Sequence, residues 1–158
     1  MREILFKAKR MDNGEWVEGD LIHSFDGENR FAISNAAGLY EIVPYTICQY
    51  TGLTDKNGNK IWENDIVKFD DVGEEGYEYK EGFDFVNIAS VEFSFDRWQL
   101  SNFVSTNSSV LEDMNGCCNE DFYNIWTYAE VIGNIFDNPE LLETNRMKGW
   151  GEDVKYSD

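Results

Sequence analysis

Apolar and polar residues alternate along much of this chain, and the alternation predicts short β-strands. Val91, Phe93 and Phe95 are separated by polar residues, which is the pattern of an antiparallel strand with one buried face. Runs of a similar kind predict strands at residues 3–8, 15–22, 30–34, 38–43, 46–50, 61–69, 83–95, 98–104 and 126–136. The predicted fold class is therefore mainly β, an antiparallel and strongly bent sheet with little helix.

The pair Asn57-Gly58 marks the clearest turn of the chain. It stands between two strand-like runs, and both residues tolerate the positive φ angles that a type I′ hairpin turn requires. We therefore expect a tight turn that joins strands including Tyr50 and Trp62. We also expect Trp62 and Ile66 to be buried, because aromatic and β-branched side chains suit a pleated, half-buried surface.

Two short helices are also predicted. Ser109 is a suitable N-cap for a helix over residues 110–114, with Gly116 as its end. The surrounding stretch is polar enough to be a loop, so both alternatives stay open for residues 108–115. Asn138 as N-cap, followed by Pro139 at the first helical position, predicts a second helix that runs through residue 143.

Charge changes the picture more than any other compositional feature. The 158 residues include 31 acidic and 13 basic side chains, which give a net charge of −18. Such a chain repels nucleic-acid backbones and membrane surfaces, so we expect neither direct nucleic-acid binding nor membrane binding. No apolar run approaches the ~20 residues that cross a membrane, and no basic, apolar leader opens the chain. We therefore expect a cytoplasmic protein. The basic residues near the start are too few to change this view: Arg2, Lys7, Lys9 and Arg10.

One segment concentrates the negative charge. Between residues 70 and 84, seven acidic side chains are opposed only by Lys80, and glycines are interspersed among them. This composition predicts a long exposed loop or a splayed hairpin tip, which we expect to contact a basic surface on a partner protein. The simpler interpretation, that the charge only keeps the protein soluble, stays open. The predicted partner-binding residues are Asp70, Asp71, Glu74, Glu75, Glu78, Glu81 and Asp84.

Residues that usually support catalysis or metal binding are sparse. His23 is the only histidine, and the three cysteines, Cys48, Cys117 and Cys118, lack the spaced pairs of a zinc site. Residues 55–59 have the composition of a calcium loop, but their glycine stands at the fourth position, whereas an EF-hand loop has it at the sixth. We therefore predict no enzymatic activity, no metal site and no cofactor. The cysteines are expected to be reduced, and the histidine to be an ordinary surface residue.

Three segments together carry a resemblance to a known family. Residues 49–58 (QYTGLTDKNG) and 61–67 (IWENDIV) resemble the central signature of the YopX protein family, which comprises phage and prophage proteins of Gram-positive bacteria. The start of the chain, including residues 13–19, resembles the opening of that family, and residues 131–142 resemble its close. Asn64 stands where the family is expected to have Gly. Because Asn also tolerates left-handed conformations, the turn at this position should survive.

The resemblance implies an SH3-like β-barrel and supplies no established biochemical activity. Closure into a barrel would remove exposed strand edges, and Gly133 in the last predicted strand indicates either a bulge or a close approach of another backbone segment. We predict a single domain over residues 1–143, with an N-terminal hairpin region at 1–43 and a barrel-like core at 44–143. Residues 144–158 are predicted to be a frayed tail.

Two functions are compatible with these features. In the first, a phage-encoded acidic protein without enzymatic activity binds a host or phage protein, as a nucleic-acid mimic that interferes with host defence or replication. The acidic run supplies the carboxylates, and the resemblance supplies the phage context. In the second, the chain is a structural accessory protein that assembles with copies of itself, and the acidic run has no role. Exposed aromatic residues would then form the contact surface: Trp98, Phe103, Phe122 and Trp126.

Overall fold

A computed structural model describes residues 1–24, 28–73, 83–115 and 125–143. Ten strands account for most of the regular structure in these ranges, together with short helical segments. The elements in chain order are β1 (Phe6–Lys9), β2 (Trp16–His23), β3 (Phe31–Asn35), β4 (Gly38–Glu41), a 3-10 helix (Pro44–Thr46), β5 (Cys48–Thr54), β6 (Lys60–Trp62), β7 (Asp65–Gly73), β8 (Phe83–Ser94), β9 (Arg97–Ser101), α1 (Ser109–Asn115), a helical turn at 125–128, β10 (Glu130–Asn134) and a helical turn at 140–143. The prediction of a mainly β, antiparallel fold with short helices is confirmed.

The chain divides into two compact units. The first contains residues 1–53 and 60–63, and the second contains residues 54–59 and the described residues from 64 onward. The boundary between the two units falls in the central hairpin, whereas the predicted boundary between the hairpin region and the barrel-like core lies at residues 43 and 44. The single domain over 1–143 and the tail at 144–158 stay predictions, and the tail lies outside the described residues.

The first unit contains a sheet in the order β4-β3-β2-β1-β5-β6. Strand β1 pairs antiparallel with both β2 and β5. On one face of this sheet Ala8, Val17, Ile33 and Ile42 form a buried cluster, with partly buried aromatic and aliphatic side chains packed against it. The alternation that predicted these strands therefore reflects one buried and one outward face, as the period of two requires. Because residues Pro44–Thr46 form a 3-10 helix, the strand predicted from residue 46 begins only at Cys48.

The central turn is present, but its geometry differs from the predicted type I′. The amide of Gly58 donates to the carbonyl of Asp55 over 3.0 Å, and only Gly58, not Asn57, has a positive φ. This is a type I turn followed by a left-handed residue, the usual three-residue hairpin loop. The cause lies in Asp55, whose carboxylate accepts hydrogen bonds from the amides of Asn57 and Asn59, each over 2.9 Å. The turn joins neighbouring strands, β5 with Tyr50 and β6 with Trp62, as predicted, and the two rings are 5.5 Å apart.

The predicted strand at 61–69 is interrupted. Strand β6 ends at Trp62 and β7 begins at Asp65, because the chain reverses at residues 63–64. Asn64 has a φ of 68°, so the turn survives without glycine, as expected. Both residues predicted to be buried are so: Trp62 is 5% and Ile66 0% exposed.

The second unit contains a sheet in the order β10-β7-β8-β9, antiparallel throughout. Its core includes Phe69 and Phe103, whose rings meet edge to face at 5.9 Å. Strand β7 continues past the predicted end at residue 69 to Gly73, and β8 pairs with it from residue 83 onward. Of the two alternatives predicted for residues 70–84, a long loop or a splayed hairpin tip, the described residues 70–73 and 83–84 follow the hairpin, because they pair across β7 and β8. Residues 74–82 lie outside the described part of the chain.

The late part of the second unit corrects two predictions. Residues 125–128 are helical, so the strand predicted from 126 begins only at Glu130; the register shift between Val131 and Gly133 confirms the predicted bulge. The helix near 108–115 is present, but its N-cap is Ser108 instead of Ser109, since the Ser108 hydroxyl accepts the amide of Leu111 over 3.0 Å.

Barrel closure stays a prediction. The strand orders given above describe two open sheets, and strand pairing in the described residues does not join their edges. In the same part of the chain, no helix is both long and apolar enough to cross a membrane.

Candidate functional site

The structure separates the members of the acidic run. Asp70 and Asp84 lie in β7 and β8 with exposed side chains, whereas Asp71 is only 3% exposed. The period of two in β7 explains the difference, because Asp71 shares the inward face with Phe69 and Asp70 points the other way. The remaining predicted residues, Glu74, Glu75, Glu78 and Glu81, lie outside the described residues.

Two valines complete the outward surface around Asp70 and Asp84. Asp70 stands opposite Val86 and Asp84 stands opposite Val72 across the β7–β8 pair. Side chains in such opposite positions have Cβ atoms about 4.5–5.5 Å apart, and diagonal neighbours such as the two aspartates are about 7–8 Å apart. Val72 is 41% and Val86 60% exposed. We call this set of four side chains the β7–β8 face.

The β7–β8 face forms part of a shallow cleft. Tyr128, from the helical turn at 125–128, lines the same cleft and is 40% exposed. Asp71 and Phe85 also line the cleft, which therefore combines three carboxylates, two aliphatic side chains and two aromatic rings. Surfaces that recognise proteins commonly combine an apolar centre with charged groups at its rim, and tyrosine is enriched in them.

The two outward carboxylates have no electrostatic partner among the described residues. No described side chain or amide donates a hydrogen bond to Asp70 or Asp84, and neither is in an ion pair. By contrast, Glu130 on β10 accepts Lys68 Nζ at 3.0 Å and Lys56 Nζ at 3.4 Å. The hydrogen bond from Lys68 is the main cause that lowers the pKa of Glu130. Among the described residues, therefore, none neutralises the negative charge of the β7–β8 face.

Asp71 has a structural role. One of its carboxylate oxygens accepts the hydroxyl of Ser108 and the amide nitrogen of Asn87, and the other accepts the hydroxyl of Ser109 and the amide of Val110. These donors fix the start of α1 to the middle of the sheet. Because its oxygens are taken by neutral donors inside the protein, Asp71 does not offer its carboxylate to a partner. Sequence reasoning missed this role, although the Phe69–Asp71 spacing of two signalled a shared face.

The family-model comparison covers both units of the fold. Residues 5–143 match the model of the YopX protein family. The chain belongs to the YopX family. The motifs that suggested this membership lie at the start of β2, in the central hairpin, at the turn of Asn64 and in the bulged strand β10.

No curated protein matches the chain significantly. Among solved structures, it is similar to the crystal structure of protein EF1440 from Enterococcus faecalis, at 21% sequence identity. The alignment covers 90% of this chain and 99% of that one, with a TM-score of 0.49. A similarity of this size carries no argument about the function of this YopX protein.

The remaining polar candidates have ordinary structural roles. His23 is exposed, stacks on Phe31 with ring centres 4.3 Å apart, and shares a 2.7 Å hydrogen bond with Asn29. The carboxylate of Asp55 faces amide donors, including that of Val131 at 3.0 Å, which is unsuitable for holding a cation. In the described ranges no group of three or more metal-ligating side chains converges. Cys48 is buried, and Cys117 and Cys118 lie outside those ranges.

Two of the four aromatic residues predicted to form a self-assembly surface are buried. Phe103 is 5% and Trp126 6% exposed, so both belong to the core of the second unit. Trp98 is partly buried, and Phe122 lies outside the described residues. The sequence alone could not assign Phe103 and Trp126 to the core, because local composition does not reveal which face of an element packs against a distant strand.

Proposed function

We propose that this YopX protein is a phage- or prophage-encoded, acidic binding protein without enzymatic activity, which acts in the cytoplasm of a bacterial host. Its partner is a host or phage protein with a basic surface, and its binding site is the β7–β8 face. The observation that carries the proposal is the pair of outward carboxylates, Asp70 and Asp84, which no described residue neutralises and which stand beside the exposed Val72 and Val86.

The physical argument combines two contributions. The net charge of −18 raises the rate at which a basic partner is encountered, and it disfavours anionic partners such as nucleic acid. The exposed valines and Tyr128 then supply apolar area that can be buried after encounter. A surface used only for solubility has no need for adjacent exposed aliphatic side chains, so the mixed composition favours a contact surface over the simpler interpretation.

Nucleic-acid mimicry is the more specific form of this proposal. Duplex DNA has about one negative charge per 1.7 Å of axis, so a mimic must present closely spaced carboxylates along one face. Asp70 and Asp84 would form one end of such an array. In this form, the basic partner is a host protein of defence or replication whose nucleic-acid groove the acidic surface occupies.

The test compares two double variants of equal charge. D70N/D84N removes the outward carboxylates, and D20N/E41Q removes two exposed carboxylates from the first unit as a matched control. Each protein is immobilised and used to capture partners from lysate of the bacterial host at low and high salt. Exposed ion pairs contribute about 0.2–1 kcal/mol each, so D70N/D84N should weaken capture about 2- to 30-fold.

The expected pattern is specific to the proposal. The amount of partner captured by the unmodified protein and by the control should fall steeply as the salt concentration rises. The reason is that salt shortens the screening length, beyond which charges barely attract each other, to ~8 Å or less. D70N/D84N should bind more weakly at low salt and respond less to salt. If the captured partner binds DNA, the unmodified protein should also displace a labelled duplex from it. A partner whose binding is indifferent to both salt and D70N/D84N would contradict the proposal.

A further inference from the structure

The turn between β8 and β9 has an unusual residue at its first central position. Phe95 has a φ of 52° and Asp96 a φ of 79°, both in the left-handed region that a type I′ turn requires. Such positions favour Asn, Asp and Gly, because a larger side chain on Cβ is crowded by the backbone. The other left-handed residues of the described chain follow this rule: Gly14, Gly38, Gly52, Gly58, Asn64 and Asn102.

Burial of the Phe95 side chain does not offset the energetic cost of this backbone conformation. Its side chain is 86% exposed, and the neighbouring Phe93 is 55% exposed. Phe93 stands opposite Trp98 in the strand pair next to this turn and contacts it edge to face, with ring centres 5.1 Å apart. Folding alone therefore favours a small polar residue at position 95, and an exposed phenylalanine there is typical of a residue retained for contact with another molecule.

We propose that Phe95 is the apolar anchor of a second docking surface, which inserts into an apolar pocket bordered by basic side chains on a partner protein. The class of partner rests on the function proposed above. Charge complementarity supports a basic border: Asp96 is exposed beside the anchor, and the chain as a whole is strongly acidic. Arg97, the one nearby cation of the turn, donates from Nη2 to the Met114 carbonyl of α1 at 3.3 Å and so is directed into the fold.

The first experiment tests whether Phe95 is dispensable for folding. Phe95→Asn replaces the anchor with a residue suited to the left-handed region, so the melting temperature should rise by about 2–4 °C. Leu39→Asn is the matched control, because Leu39 is 66% exposed in the regular strand β4 and its replacement relieves no turn strain. A lower melting temperature for F95N would show that Phe95 supports the fold and would overturn the proposal.

The second experiment identifies the occupant. A photoreactive benzoylphenylalanine is placed at position 95, and in a parallel variant at position 39, and both proteins are irradiated in the bacterial host. The proposal expects position 95 alone to crosslink to a defined peptide of another protein, one that combines apolar residues with neighbouring Lys or Arg. Crosslinks to a second copy of this chain, or crosslinks no different from those at position 39, would overturn it.

Affinity for the crosslinked protein then separates this inference from the proposed function. Burial of a phenylalanine side chain corresponds to about a 10- to 100-fold gain in affinity, so F95N should lose that factor at any salt concentration, and Phe95→Leu should recover much of it. D70N/D84N should change the salt dependence instead. If F95N binds as tightly as the unmodified protein but D70N/D84N binds more weakly, the anchor role of Phe95 is disproved and the proposed acidic surface is supported. If F95N binds more weakly but D70N/D84N has no effect, the acidic surface is disproved and the anchor is supported.

Discussion

Replacing Asp71 should destabilise the protein far more than replacing Asp70, although the two residues are adjacent in the same acidic run. Asp71→Ala removes the acceptor of the Ser108 hydroxyl, which is buried, and of the Val110 amide at the start of α1. Asn87 keeps a second acceptor in the carbonyl of Ser105 at 3.0 Å and so is only partly affected. Asp70 is exposed and has no hydrogen-bond or ion-pair partner among the described residues.

The magnitude follows from the number of donors left without an acceptor. A hydrogen bond to a charged group contributes about 1.5–3 kcal/mol, and the bonds from the Ser108 hydroxyl and the Val110 amide to Asp71 have no replacement. The half-buried Ser109 hydroxyl also loses its bond to Asp71, but water can replace that acceptor. Relief of the cost of burying a carboxylate offsets part of this loss. We therefore expect D71A to lower the free energy of unfolding by about 3 kcal/mol, which corresponds to about 6–12 °C in melting temperature for a chain of this size. D70A should stay within about 0.5 kcal/mol of the unmodified protein.

Urea denaturation and thermal melting of both variants measure the difference directly. A double-mutant cycle with Ser108→Ala adds a second reading: if the two residues interact, D71A/S108A should be less destabilised than the two single effects added together. Equal stabilities of D71A and D70A, or strict additivity in the cycle, would refute the assignment of Asp71 to a buried hydrogen-bond network.

Three further predictions concern the core, acid stability and metal. Ile66→Asp should cost on the order of 3 kcal/mol or more, because Ile66 is 0% exposed and an unpaired charge would enter the core; an unchanged melting temperature would contradict its burial. Burial alone raises the pKa of Asp55, but hydrogen bonds from the amides of Val131, Asn59 and Asn57 lower it overall, below the usual 3.8. The ionised Asp55 therefore stabilises the fold fully above pH 3.8, and this stabilisation is lost as the pH falls through the lowered pKa. The difference in free energy of unfolding between the unmodified protein and D55N should become smaller between pH 5 and pH 2. A difference that stays constant over this range would contradict the lowered pKa of Asp55. A chelator and a reductant should leave the melting temperature unchanged. A large decrease in melting temperature on adding EDTA would show that the protein contains a structural metal, against the prediction.

Much of the fold could be predicted because its signals are local. Asn57-Gly58 indicated a turn, the alternation around Val91 indicated a half-buried strand, and Gly133 indicated a bulge, and each depends on the steric properties of a few neighbouring residues. The type of the central turn was predicted wrongly because the side chain of Asp55, not the Asn-Gly pair alone, selects it.

The remaining errors have a different cause, because the features concerned depend on distant parts of the chain. Ser108 rather than Ser109 caps α1, and Trp126 is helical and buried, because both positions are set by packing in the second unit. The candidate site shows the same division. The sequence indicated Asp70 and Asp84 as binding residues, but the valines beside them became visible only from the β7–β8 register, since residues 72 and 86 are far apart along the chain.

The division of the acidic run determines how any binding experiment on this protein must be designed. A variant that neutralises the whole run would remove Asp71 together with the outward carboxylates, and a loss of partner binding would then follow from damage at α1 as readily as from lost charge. Keeping Asp71 and changing Asp70 and Asp84 separates the two effects, because the outward residues have no contact on which the described fold depends. Strand alternation therefore does more than describe this segment. It places Asp71 on the buried face and Asp70 on the outward face of one strand, so the structural role of the first and the proposed binding role of the second can be tested separately.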